Sequence, residues 1–199
     1  EYTAGQVMRH CGVGRDRIRV APGGVDPPAE RLSPEARLRE RERVVGRGNE
    51  MLLSVGVLDN RKNVLGSLRA LEHLPERYRL VLAGGDGYGS ERVHAAIRNR
   101  GLEDRVKRLG YVPRCVLVSL YQAASALLYP SLEEGFGFPM LEAMAHGVPV
   151  VTSRTSALPE VGGRAALYAD PLDAADIAAK VKAAVEDSAL RESLVRAGF

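Results

Sequence analysis

Between residues 51 and 170 short apolar runs alternate with segments of helical spacing, and this alternation constrains the chain more than any other feature. Strands that alternate with helical segments cannot pair as hairpins; they pair in parallel, joined by crossover helices. The runs are MLLSVG (51–56), YRLVLAGG (78–85), 106–109, ALLYP (126–130), VPVVTS (148–153) and ALYAD (166–170). Between them, Val64, Leu65, Leu68 and Leu71 mark one face of a helix over 63–73. Further helices are expected over 90–100, over 114–124, from near Pro139, and after Asp173, an N-cap ahead of Ile177, Val181 and Val185. The expected fold is therefore α/β, a Rossmann-like doubly wound parallel sheet of about six strands. Such sheets bind ligands beyond the carboxyl ends of their strands, which directs attention to the loops after Ser54, Ala83, Leu109, Pro130 and Thr152.

Ahead of Met51 the pattern changes to a helical piece reaching about Val13, a short strand IRVAP (18–22), a turn GGVDPP and a charged stretch containing proline. Residues 1–25 read as a remnant of another domain, 26–49 as a linker or surface segment, and 50–199 as the ligand-binding domain.

Composition narrows the class of function. With 45% hydrophobic and 27% charged residues the chain is an ordinary globular protein, and 199 residues suffice for one core. A net charge of +3, with acidic residues interleaved among the basic ones, and no Trp argue against a nucleic-acid interface. No apolar run approaches a membrane span, so at most peripheral membrane contact is expected. Cys11 and Cys115 stand alone, as reduced thiols of a cytoplasmic protein would, and no metal site is expected.

The chemistry concentrates in SLEEGFGFPMLEAMAHGVPVVTS (131–153). A strand ends at Pro130, a glycine-punctuated loop carries Glu133 and Glu134, and Pro139 stands where a helix begins, at the N1 position that proline prefers. Free backbone N–H groups of Phe136, Gly137 and Phe138, at the positive end of the helix dipole, suit a diphosphate. Glu134 in the loop and Glu142 one turn into the helix would flank that anion and accept from hydroxyl groups. Spacing alone equally allows a helix cap at Glu134 and an exposed face residue at Glu142.

The string EGFGFPMLEAMAHGVPVV closely resembles the E-x7-E motif of glycosyltransferase family 4, retaining enzymes with the GT-B fold, with Glu134 and Glu142 on its two glutamates. The resemblance extends through SVGVLDNRKNVLGSLRAL, RLGYVPRCVLVSLYQAASALLYPS and TSALPEVGGRAALYADPLDAADIA, and back to IRVAPGGVDP. It implies the C-terminal, donor-binding half of a hexosyltransferase that uses a UDP- or GDP-type sugar without a metal or other cofactor. A preceding acceptor domain is then missing, and the fragment alone is expected to be inactive and able to self-associate. It further implies that Arg61 and Lys62, after Gly56, hold the diphosphate, that Glu134 grips the sugar and Glu142 the ribose, and that backbone groups of Tyr111 and Val112 read the base. One departure is Val57, where many members carry Arg directly after the glycine.

Other signals are weaker. GGDGYG (84–89) loosely matches a dinucleotide fingerprint, but Asp104 precedes the next strand instead of ending it, and no GxxxxGK[ST] occurs. His10, His73, His94 and His146 do not pair at ligand spacing, and Glu160 reads as a turn residue. Two further functions remain open on sequence: a non-catalytic sugar-nucleotide-binding module, and an epimerase or phosphorylase of the same fold.

Overall fold

The computed structural model describes residues 1–198. In chain order it contains α1 (Tyr2–Cys11), α2 (Pro34–Val45), β1 (Glu50–Val55), α3 (Val64–Glu72), β2 (Tyr78–Ala83), α4 (Ser90–Asn99), β3 (Val106–Gly110), α5 (Arg114–Ala123), β4 (Ala126–Tyr129), α6 (Phe138–Ala145), β5 (Val150–Ser153), α7 (Leu158–Gly162), β6 (Ala166–Ala169), α8 (Ala174–Glu186) and α9 (Ser188–Ala197). The six strands form one sheet in the order β3-β2-β1-β4-β5-β6. Every pairing is parallel. This is the doubly wound arrangement expected from the alternation, and its order reverses between β1 and β4.

The central strands are apolar throughout because both faces are covered. One face packs Leu52, Leu80, Leu82 and Leu128 against α3, α4 and α8 through Leu68, Leu71, Ile97 and Val181. The other packs Met51, Leu53, Val81 and Leu127 against α5 and α6 through Leu120, Tyr121, Met140 and Ala143. Helix α8 starts as its sequence indicates, with the Asp173 carboxylate accepting from the backbone N–H groups of Ala175 and Asp176.

Three local readings differ from the structure. Residues 18–22 form no strand, because the segment lies over the loop before α6 instead of along a sheet edge; a Cβ on Gly23 would meet the Phe138 ring at 2.8 Å. Within 26–49, Ser33 caps the N–H of Ala36 and Pro34 opens α2, which buries Val44 in the core. Pro139 is the second residue of α6, not the first: Gly137 is the cap, at φ 103°, and Phe138 is N1.

Candidate functional site

The carboxyl ends of β1 and β4 carry the two loops that build the site. After β1 the chain turns at Gly56, where φ is 129°, and the 3₁₀ turn Asn60–Lys62 follows. The Asp59 carboxylate caps that turn by accepting from the Lys62 N–H at 2.9 Å. Asn63 then adopts φ 53°, its side chain receiving the Gly66 N–H and donating to the carbonyls of Pro130 and Pro171. Asn63 thereby ties the first loop to the end of β4. At Gly56 the Lys62 stem passes 3.1 Å from where a Cβ would stand, so a side chain there would crowd the lysine.

Glu134 sits at the junction of these loops and is only 6% exposed. Its Oε1 accepts from Lys62 Nζ at 2.7 Å and from the Tyr129 hydroxyl at 2.7 Å, while Oε2 accepts from Arg61 Nη1 at 3.1 Å. Burial pushes this carboxyl up, but the hydrogen bonds of Lys62 and Tyr129 and the charge of Lys62 outweigh it and hold the group below its ordinary value. Tyr129, at the last position of β4, is pushed up by burial and by the Glu134 charge, so it stays a neutral donor. The Glu134 N–H donates to Ser156 Oγ at 2.9 Å, and Ser156 itself adopts φ 54°. Glu134 is thus not the cap of α6.

Helix α6 begins beside this carboxylate with no side-chain cap. Among the described residues the backbone N–H groups of Phe136, Gly137 and Phe138 donate to no protein acceptor. The Phe136 and Phe138 rings pack together with centroids 4.9 Å apart. Such a helix start, with two cations nearby, can take an anion.

Glu142 forms a second cluster on the same helix. It accepts from the Tyr121 hydroxyl at 2.8 Å and lies 3.6 Å from Arg114, the first residue of α5. Tyr121 is fully buried and stacks on His146, with centroids 5.5 Å apart. His146 Nδ1 is buried without a hydrogen-bond partner among the described residues, and burial lowers the pKa of the ring. Tyr111, between β3 and α5, points its ring into solvent at 87% exposure; Val112 packs against the second core cluster. Among the described residues neither hydrogen-bonds Glu142; Arg114, just after their loop, lies 3.6 Å from it.

The structure therefore joins Glu134, Arg61, Lys62 and Gly56 directly, and places Glu142, Phe136, Gly137 and Phe138 on the adjoining helix start. Tyr129, Tyr121, Arg114, Ser156 and Asn63 are absent from the sequence expectation. Only Asn63 carried a readable signal, an N-cap residue directly ahead of a helical pattern.

The fold is of the doubly wound α/β class, in which ligands bind beyond the strand ends at the switch point, and here that crevice has cations on one loop and an uncapped helix start on the other. Residues 38–199 match the family described as "Glycosyl transferases group 1", and the chain belongs to that family. It is 41% identical over 151 residues to the O-antigen chain mannosyltransferase B of Escherichia coli, an alignment covering 74% of this chain and 40% of that protein. The fold matches Anabaena Alr3699/HepE, solved in complex with UDP and glucose, with TM-score 0.86 at 22% identity over 97% of this chain and 54% of that one. It also matches the C-terminal domain of a glycosyl transferase group 1 family protein (LpcC) from Francisella tularensis, with TM-score 0.71 at 23% identity over 88% of this chain and 95% of that one. The chain spans 40% to 53% of the length of three curated relatives it matches.

Proposed function

We propose that this chain is the donor-binding half of a retaining glycosyltransferase of family 4, which moves a hexose from a UDP- or GDP-type sugar to a hydroxyl acceptor held by a preceding domain. The observation that carries the reading is the placement of Glu134 between Lys62 and Arg61 at the β1/β4 switch point, beside the start of α6. Breaking the glycosidic bond leaves negative charge on the departing diphosphate. Two cations and the free N–H groups of the helix start would stabilise that charge without a metal ion. Lys62 is already oriented by Glu134, by Tyr129 and by the stem contact at Gly56, so little reorganisation would be needed when the diphosphate arrives. In this reading Glu134 accepts from sugar hydroxyls, Glu142 from the ribose, and the loop holding Tyr111 and Val112 borders the base. The experiment that tests it is calorimetry with UDP, GDP and their hexose conjugates. Saturable binding of one diphosphate pair, unchanged by EDTA, is expected; failure of both nucleotides to bind would overturn the assignment.

A further inference from the structure

We propose that a cavity at the opposite edge of the sheet from the switch point, where Arg37, Arg41, Arg191 and Arg196 converge, binds a small phosphate-bearing ligand. The cavity measures about 470 Å³ and lies under the amino ends of β1, β4 and β5, between α2 and α9. Four arginines and two acidic residues, Glu50 and Glu192, are among the residues that line it, leaving two positive charges in excess. Each carboxylate is already engaged: Glu50 by Arg41 at 2.9 Å and Glu192 by Arg196 at 3.4 Å. Arg37 and Arg191 have no carboxylate partner among the described residues.

Arg37 and Arg41 stand four residues apart on α2, so their like charges face the same side of the helix, and of the two only Arg41 has a carboxylate against it. Both are held by backbone anchors that leave donors for a ligand. Arg37 Nε donates to the Leu32 carbonyl at 3.2 Å, and its two Nη groups make no hydrogen bond among the described residues. Arg41 Nε donates to the Ala123 carbonyl at 2.9 Å, and Arg191 Nη1 to the Val185 carbonyl at 3.4 Å. Burial lowers the pKa of Arg37 and of Arg41; the charge of Arg31 adds to this at the first, while at the second the Glu50 carboxylate opposes it and the charge of Arg191 adds to it. A dianion would relieve that cost, and the planar guanidinium fork matches phosphate oxygens two at a time. Inorganic phosphate alone would leave most of the cavity empty, so the natural ligand carries a body about the size of a sugar.

The test uses the full-length protein and inorganic phosphate as probe, titrated at constant ionic strength with KCl as balance, with melting temperature as the readout. A saturable rise is expected that persists in Lys62→Ala, which disables the proposed diphosphate site. In Arg191→Ala, at an exposed position on α9, and in Arg37→Ala, half-saturation should move to about tenfold higher phosphate or beyond, as loss of a charge-assisted hydrogen bond predicts. No rise above the KCl control, a rise abolished by Lys62→Ala, or one that survives both arginine variants would overturn the proposal. Vesicles containing phosphatidic acid distinguish the source of the phosphate. A cavity sized for a small free ligand predicts no flotation of the protein with them, and flotation lost in Arg191→Ala would assign the phosphate to a lipid headgroup and overturn the free-ligand form.

Discussion

Lys62 and Glu134 form a partly enclosed ion pair, Nζ to Oε1 at 2.7 Å, between loops 72 residues apart in sequence. The lysine side chain is 14% exposed and the carboxylate 7%, so neither is free to exchange its partner for bulk water. A ligand that approaches Lys62 must share it with Glu134. This makes the two residues respond differently to substitution, and it links the stability of the site to its occupancy.

Glu134→Ala leaves a recessed ammonium without its carboxylate, and should cost about 1–3 kcal/mol of stability. The nucleoside diphosphate should restore much of that, because its phosphates can replace the missing charge. Denaturation midpoints with and without UDP or GDP measure both effects. In calorimetry the variant should bind the diphosphate at least as tightly as the parent and lose affinity for the sugar-bearing donor. Equal losses for both ligands would remove Glu134 from the sugar.

Arg61→Ala and Lys62→Ala should each weaken diphosphate binding by about 1.5–3 kcal/mol and hardly affect a nucleoside, since only the charge-assisted bonds to phosphate are lost. The second variant also strands Glu134, so its loss of stability should exceed that of the first, whose guanidinium is half exposed. A Lys62→Ala protein as stable as Arg61→Ala would show that water reaches Glu134 freely.

Tyr121→Phe removes the hydroxyl that holds one oxygen of Glu142 and keeps the ring that stacks on His146. Diphosphate affinity should fall about three- to tenfold, in line with one hydrogen bond of ~1 kcal/mol, while the melting temperature changes little. Calorimetry on this variant and on Glu142→Ala should show a larger loss in the second; an unchanged affinity in both would detach Glu142 from the ligand.

The strand pattern made the sheet legible from sequence, and GFGFP made the helix start legible, because local spacing and glycine placement express both. Tyr129 and Tyr121 were not legible, since a tyrosine in an apolar run reads as core; only the three-dimensional meeting of its hydroxyl with Glu134 or Glu142 shows its second task. Helix α2 was legible in part: Ser33, Pro34 and Glu35 form a helix-start signal that the density of charge in 35–43 obscured. Segment 18–22 has strand-like composition, yet strand geometry requires a hydrogen-bonding edge, and no periodicity reveals that this stretch meets aromatic rings instead.

His146 gives the stability a pH dependence of definite sign. Burial lowers its folded-state pKa below the ordinary 6.5, so on acidification the unfolded chain takes up the proton first. The associated stability is present above pH 6.5 and is lost as the pH falls through the lower folded-state value. Urea midpoints from about pH 7.5 to about pH 5 should decline less steeply in His146→Phe than in the parent, since only the parent carries this titration. Parallel declines would mean that the ring is protonated in the folded protein without cost.

Residues 1–199 alone should bind a nucleoside diphosphate yet transfer no sugar. Glu134, Arg61, Lys62, Glu142 and the start of α6 all lie on the edge of one sheet, so the proposed diphosphate site is complete within it. The acceptor in the proposed reaction has to be presented across a cleft, and the described residues build one sheet and hence one wall. Holding two reactants in register accounts for about 7–11 kcal/mol of a barrier, so donor turnover without the second wall should stand near background. Donor consumption by this chain, measured beside a longer chain that includes the preceding domain, decides the matter. Comparable turnover by the two would place the acceptor site within residues 1–199 and overturn the division of labour proposed for the two halves.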